Sequence, residues 1–224
     1  MTKTPFIFKF YLFMIVIIFI AGFSGLLLYF DGAFDTKTVN NTRLNYNYGD
    51  PIQTTYDGKY GIVSTPINHI IFNYQLTPVS NYDMSGRVLN IKKYYVSELG
   101  ISPMDLCVAW GGLANEANYD NNVSFWQSGR QCMYHYDTTI KDSAYKSHFS
   151  NSHIIPANGS VADALNSIEV NDAVEIKGYL VDVTKTIIFF NGQKHWTTST
   201  TRSDEGDGAC EIIYVISVTI LHHR

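Results

Sequence analysis

The sequence has little of what usually identifies an enzyme, a zinc protein or a nucleic-acid-binding protein. Its three cysteines form no Cys-x-x-Cys pair, which argues against a structural zinc site. It contains neither a Gly-x-Ser-x-Gly nucleophile elbow nor a His-Glu-x-x-His metal motif. After residue 30 it carries 14 basic and 20 acidic residues, a formal charge of −6, and it lacks the clustered basic face that nucleic-acid binding requires. No motif indicates a cofactor, and we predict none.

Charge is absent from one long apolar stretch near the N-terminus, from Phe10 to Phe30. Its 21 residues are enough for a helix that spans roughly 30 Å of hydrocarbon. The apolar run continues beyond Ser24, so cleavage there as a signal peptide would leave an apolar tail at the new N-terminus. We therefore predict an uncleaved signal anchor, with the lipid bilayer as the partner of residues 10–30.

The residues that flank this stretch predict its orientation. Lys3 and Lys9 precede it, and Asp31 and Asp35 follow it. By the positive-inside rule, the short N-terminus stays in the cytoplasm and the remainder is exported. The predicted location is the inner (cytoplasmic) membrane, crossed once, with the C-terminal domain outside the cytoplasm.

Composition divides the chain into three predicted parts. Residues 1–30 form the cytoplasmic tip and the transmembrane anchor. Residues 31–60 are rich in Asn, Thr, Tyr, Asp and Gly without apolar periodicity, which predicts a polar tether. Residues 61–224 are long enough for one exported domain.

Short β-branched and aromatic runs predict that this domain is mainly β, a β-rich α+β fold. Strands are predicted at residues 67–74, 87–95, 123–127, 131–136, 173–184, 186–190, 194–200 and 211–221. Residues 78–85 are predicted to be turn-forming, and the internal Gly178 predicts a bulge or tight bend. The arrangement expected is one antiparallel sheet or partial barrel with short helices, and an oligonucleotide-binding-type barrel is the nearest named shape by analogy.

Two short helices are predicted from capping signals. Ser102 is a good N-cap and Pro103 suits the first helical position, so residues 102–112 are expected to form two to three turns. Ser160 and Asp163 resemble a capping box that opens a second helix ending near Leu165 or Ser167.

The three cysteines allow one disulfide and one free thiol in an oxidising compartment. A Cys107–Cys132 bond closes a loop of about 25 residues, worth roughly 3–4 kcal/mol by chain entropy. Cys210 would then be free. The alternative is that all three are reduced and buried as small apolar residues.

Several strings resemble a family of bacterial membrane-anchored or exported proteins of uncharacterised function. The resemblance lies in residues 102–111, 127–130, 152–157, 174–181 and 196–211, within about residues 75–220. It implies a single anchor and an exported domain, and no activity. The family pattern has two serines after the tryptophan, where this chain has Thr197 and Thr198.

The predicted function is binding of another envelope protein by the exported domain, with no catalytic or metal-ligating residue assigned. Loops positioned by a rigid sheet carry sites more often than strands do. The residues predicted to converge at one end of the sheet and contact the partner are Trp110, Arg130, His153, Arg202, Asp204 and Glu211. The alternative is an envelope hydrolase or metal-dependent enzyme that uses His153 and the carboxylates near Asp204.

Overall fold

The computed structural model describes residues 48–68, 71–95, 100–115, 124–135, 147–188, 192–204, 206 and 208–222. The predicted anchor at residues 10–30 lies outside these ranges. Within them, no helix has the length and apolar character needed to cross a bilayer. The described part of the chain is mainly β, as predicted.

The described strands are numbered β1 to β10 in chain order. They are β1 Ile52–Thr55, β2 Ile67–Asn68, β3 Phe72–Lys93, β4 Met104–Ala109, β5 Ser124–Ser128, β6 Gln131–His135, β7 Phe149–Pro156, β8 Ala173–Ile187, β9 Gly192–Trp196 and β10 Glu211–His222. A short 3-10 helix, Gly111–Ala114, follows β4, and one α-helix, α1 (Gly159–Asn166), connects β7 to β8. Strand β1 falls within the stretch predicted to be a tether and pairs with the domain.

Five of the strands pair in a closed circuit. Strand β3 pairs with β4, β4 with β7, β7 with β10, β10 with β8, and β8 returns to β3. Only the β7–β10 pairing in this circuit is parallel. Strands β1 and β2 pair with the long β3, and β9 pairs antiparallel with β8.

The main core lies inside this circuit, since all five strands contribute to one buried cluster. The members contributed by the strands include Tyr82, Val88, Leu106, Val108, Ile154, Ile176, Leu180, Ile213 and Val215. Helix α1 adds Val161 and Leu165 to the same cluster. A second layer is formed by the β5–β6 hairpin, which a disulfide between Cys107 and Cys132 ties to the outer side of β4. This confirms the predicted cysteine pair and leaves Cys210 free.

The helix predicted at residues 102–112 is wrong: most of this stretch is strand β4. All six of its residues are buried, and it pairs with β3 on one side and β7 on the other. Two neighbouring strands satisfy its backbone groups, and this pairing outweighs the local capping signals of Ser102 and Pro103.

The predicted turn at residues 78–85 is also wrong, because β3 runs through it without interruption. Proline lacks the N–H that a strand ladder uses, and within sheets it is found at edges and bulges. The register of β3 against β8 shifts between Pro78 and Ser80, and this irregularity accommodates the proline.

Three local predictions are confirmed. The β5–β6 hairpin forms, with its two-residue turn at Gly129 and Arg130, one residue later than expected. Helix α1 forms, but its N-cap is Asn158, whose side chain accepts a hydrogen bond from Val161 N. The bulge or tight bend predicted at Gly178 corresponds to a register shift in the facing strand β10, next to Val215.

Candidate functional site

Strands β4, β7 and β10 lie side by side and bring three chemically active residues together. Asp105 and His153 are direct partners across β4 and β7, and Cys210 precedes β10, which pairs with β7. Because alternate residues of a strand point to one face, these side chains share the outer side of the circuit. With Ser102, Arg130 and Asn151 they form what we call the His153 cluster.

Asp105 is the centre of this cluster and is fully buried. Its Oδ1 lies 2.8 Å from His153 Nδ1, and its Oδ2 accepts a hydrogen bond of 3.0 Å from Tyr94. Arg130 donates to both carboxylate oxygens, at 2.5 and 3.2 Å. Burial alone would raise the pKa of Asp105, but the bonds from His153 and Arg130 outweigh it and lower that pKa. The carboxylate is therefore held in its charged form.

Arg130 reaches Asp105 because of an unusual backbone conformation. It has a φ of 63°, and Gly129 before it has a φ of 57°, as expected of a two-residue hairpin turn with both central residues left-handed. A non-glycine residue is disfavoured there by roughly 1–2 kcal/mol. The guanidinium also donates to Ser102 Oγ at 2.9 Å and lies 4.4 Å from the centroid of the Tyr94 ring. These contacts offset the cost of the turn.

His153 is the imidazole of the cluster and contacts Asp105. Its side chain is 13% exposed. Burial alone would lower the pKa of this imidazole, but the hydrogen bond to Asp105 and the charge of that carboxylate, with a smaller effect of Cys210, outweigh it and raise the pKa to about 9. Nδ1 is the ring nitrogen that faces the carboxylate. The buried carboxylate of Asp105 therefore favours the protonated imidazole.

Cys210 is the free cysteine of the domain and is partly exposed. Asn151 Nδ2 donates to its Sγ at 3.4 Å, and the thiol is 3.8 Å from the carbonyl oxygen of Arg130. The amide of Asn151 is held in turn by Gln127, whose Nε2 donates to Asn151 Oδ1 at 2.7 Å. The thiol is thus held by polar groups from β7 and from the hairpin.

A second group of residues, the Arg202 cluster, reaches into the interior of the circuit. Glu211 is only 1% exposed, and its Oε1 is hydrogen-bonded to Arg202 Nη1. Arg202 also donates to Gln53 Oε1 from β1. Its guanidinium lies 5.4 Å from the ring centroid of Tyr82 and 5.9 Å from that of Trp110. Burial of Glu211 outweighs the attraction of Arg202 and raises the pKa of this carboxyl to about 7.

One pocket of about 310 Å³ connects the two clusters. Its lining includes Cys210 and Asn151 from the first cluster and Arg202 and Glu211 from the second. Asp204 and the apolar or aromatic side chains of Met133, Tyr134 and Phe149 also line it. We refer to this cavity as the pocket.

The six residues predicted from sequence fall into both clusters. Arg130 and His153 meet at Asp105, and Arg202 meets Glu211. Asp204 accepts a 2.6 Å hydrogen bond from Ser199 and lines the pocket. Trp110 is fully buried, so it supports Arg202 from the core and presents no surface to a partner.

The sequence did not indicate that Asp105 lies beside His153, or that Asn151 and Cys210 lie in the same cluster. The sequence predicts a helix at Asp105. A helix gives no indication that this residue pairs with His153 across two neighbouring strands. Strand alternation through residues 104–109 was the signal that would have put Asp105 and Cys107 on one face. The proximity of Cys210 to His153 has no local signal, because 57 residues separate them in the chain.

A metal site has no support in the described ranges, where no group of three or more His, Cys, Asp or Glu residues is arranged to hold an ion. Comparison with known proteins finds no match among family models, curated proteins or solved structures.

Proposed function

We propose that this protein is anchored in the inner membrane by residues 10–30 and that its exported domain binds another envelope protein at the pocket. The observation that carries the proposal is the composition of the pocket wall. Charged groups of Arg202 and Asp204 face the same cavity as the side chain of Met133, which is 39% exposed. Exposed methionine beside fixed charge is typical of a surface that adapts to a protein side chain.

The fold supports a site at this position. A closed circuit of five strands with one parallel pair, and a helix between its third and fourth strands, has the order of an oligonucleotide/oligosaccharide-binding barrel. Such barrels use the face of their second and third strands and the adjoining loops to bind ligands. Here the disulfide-linked β5–β6 hairpin lies against strand β4 on that side, and the pocket lies between the hairpin and the loop before β10.

Charge favours a protein partner over nucleic acid. The chain after residue 30 has a formal charge of −6, and carboxylates of Asp204 and Glu211 flank the single arginine of the pocket wall. Backbone phosphates would meet repulsion there, because phosphate binding depends on several basic contacts. We propose that the partner supplies an extended segment, with an apolar side chain against Met133 and a polar group toward Arg202.

A photo-crosslinking residue at Thr201, which is exposed at the pocket, tests this in cells that make the protein. We expect one discrete adduct that Met133→Asp abolishes, because a carboxylate replaces the apolar contact. The matched control is Leu221→Asp, since Leu221 is 49% exposed near the end of β10. An adduct that survives Met133→Asp, or one lost equally in Leu221→Asp, would contradict the proposal.

A further inference from the structure

We propose that the pocket receives the ammonium group of a lysine side chain of the partner, with Glu211 and Asp204 as hydrogen-bond acceptors and the rings of Tyr134 and Phe149 beside it. This inference rests on the proposed function and names the chemistry of the group that binds. The pocket volume of about 310 Å³ is at the small end of the range of roughly 300–1,000 Å³ for ligand pockets, which suits a single side chain.

Glu211 supplies a buried acceptor at the pocket wall. Its Oε1 is bonded to Arg202, whereas its Oε2 has no hydrogen-bond partner among the described residues. Burial raises the pKa of Glu211 and the nearby Ser150 hydroxyl lowers it, but the hydrogen bond of that hydroxyl, 3.3 Å long, is with Ser152 Oγ. A buried acceptor that stays unsatisfied is unfavourable, and a donor from a partner would remove this cost.

Charge at the pocket wall favours a cation. Among the described residues that line the pocket, two carboxylates, Asp204 and Glu211, face one guanidinium, Arg202, which leaves one negative charge in excess. Arg202 is already engaged, because its Nη1 donates to Glu211 and its Nη2 donates to Gln53. A neutral hydroxyl could bond to Oε2 but would leave the negative charge without a partner. A bound cation would lower the pKa of Glu211 from about 7 and hold its carboxylate charged.

The apolar wall suits the rest of a lysine side chain. The rings of Tyr134 and Phe149 are set edge to face, with centroids 5.2 Å apart and planes at 77°. Aromatic faces attract ammonium groups, and rings set at an angle can form two sides of a cage around a cation. Met133 lines the same pocket and offers an adaptable thioether surface to the aliphatic stem of lysine.

The geometry of Glu211 favours lysine over arginine. The planar guanidinium of arginine binds best to two acceptors side by side, whereas the ammonium of lysine is a compact charge on a flexible stem. Arg202 already occupies Oε1 of Glu211, so the carboxylate offers a newcomer one oxygen and cannot accept a bidentate pair.

The test uses the purified full chain in detergent and two probes, N-acetyl-lysine amide and N-acetyl-norleucine amide. The probes have the same carbon skeleton, and only the first carries an ammonium group. NMR of methyl-labelled methionine follows Met133 at pH 8, where Glu211 is mostly charged and lysine keeps its proton. We expect saturable shifts with the lysine probe. The affinity for the norleucine probe should be lower by about tenfold or more, the effect expected for a hydrogen bond to a charged group.

Variants then assign the binding to the two carboxylates. Glu211→Gln should weaken binding of the lysine probe by about tenfold or more. Asp204→Asn should weaken it by about two- to fivefold, because Asp204 is exposed and its charge is screened by water. The matched control is Glu169→Gln, since Glu169 is exposed and does not line the pocket.

Equal affinities of the wild type for the two probes would overturn the proposal, and this comparison does not depend on folding of a variant. So would shifts that do not saturate, or an affinity for the lysine probe that is unchanged in a folded Glu211→Gln variant. If a chain that fails to bind the lysine probe still forms a Thr201 adduct that requires Met133, the lysine assignment is wrong while partner binding stands.

Discussion

Asp105 and His153 lie directly opposite each other in strands β4 and β7, and 2.8 Å separates Oδ1 of the aspartate from Nδ1 of the imidazole. The pair is almost completely buried, which strengthens its electrostatic attraction relative to that of an exposed pair. It also places an imidazole, whose usual pKa is 6.5, inside the folded domain. Stability should therefore depend on pH in a way that can be assigned to single residues.

The first prediction concerns His153. Its folded pKa of about 9 lies above the usual 6.5, so the folded state keeps a proton that the unfolded state releases between these values. The stabilisation is complete below pH 6.5 and is lost as pH rises through about 9. Urea unfolding across this range should show a fall in the free energy of unfolding in the wild type and in His195→Gln. The fall should be absent in His153→Gln, and a slope that persists there would contradict the assignment.

Glu211 should make the free energy of unfolding depend on pH over a different range. Its folded pKa of about 7 lies above the usual 4.5, so the folded state binds more protons than the unfolded state between these values. The free energy of unfolding should fall as pH rises from about 4.5 to about 7, by an amount on the order of 3 kcal/mol. In Glu211→Gln the free energy of unfolding should no longer fall between pH 4.5 and 7, but it should still fall between pH 6.5 and 9. Equal slopes in both proteins would show that other groups cause the change.

Arg202→Ala should destabilise the domain more at pH 8 than at pH 5. At pH 8 the Glu211 carboxylate is charged, and loss of its buried partner leaves an unpaired charge, which typically costs 3–5 kcal/mol. At pH 5 the carboxyl is largely protonated, so the loss should be smaller. Thermal melting of Arg202→Ala at the two pH values measures this, with the exposed Lys194→Ala as the control. Equal losses at both pH values would show that the effect of Arg202→Ala does not depend on the charge of Glu211.

Gly178→Ala should destabilise the sheet. A Cβ at this position would lie 2.0 Å from the backbone oxygen of Tyr214 in the neighbouring strand, and backbone cannot move aside as a flexible side chain can. We expect a loss of about 1–3 kcal/mol or more in the free energy of unfolding. Gly159→Ala is the matched control, because nothing lies within 4 Å of a Cβ there. A loss in Gly178→Ala no larger than that in Gly159→Ala would contradict the steric explanation.

Removal of the disulfide should affect both stability and the His153 cluster. Cys107→Ala with Cys132→Ala opens a loop of 25 residues, a loss of about 3–4 kcal/mol by chain entropy. Because the hairpin that carries Arg130 is tied down by this bond, we expect the imidazole pKa, followed by NMR, to move. Cys210→Ser keeps the bond and should unfold within about 1 kcal/mol of the wild type. An unchanged imidazole titration in the double variant would mean that the hairpin holds its place without the disulfide.

Local sequence chemistry was sufficient for elements whose signals lie within a few residues. The β5–β6 hairpin follows from Gly129 between two strand-forming runs, and α1 follows from its small and polar N-terminus. Strand β10 follows from its Val- and Ile-rich composition. The Cys107–Cys132 pairing was inferred from compartment and loop length, and the structure places both residues at adjacent positions of β4 and β6.

Tertiary pairing decided the rest. Residues 104–109 carry good helix-capping signals, yet β3 and β7 hydrogen-bond to both of their sides and all six are buried. Pro78 locally favours a turn, but a register shift between β3 and β8 accommodates it within the strand. The meeting of Asp105, His153 and Cys210 depends on the order of strands β4, β7 and β10, which is a non-local property. Apart from proline, single-residue propensities differ by about 1 kcal/mol or less, so the burial and hydrogen bonding of a central strand override them.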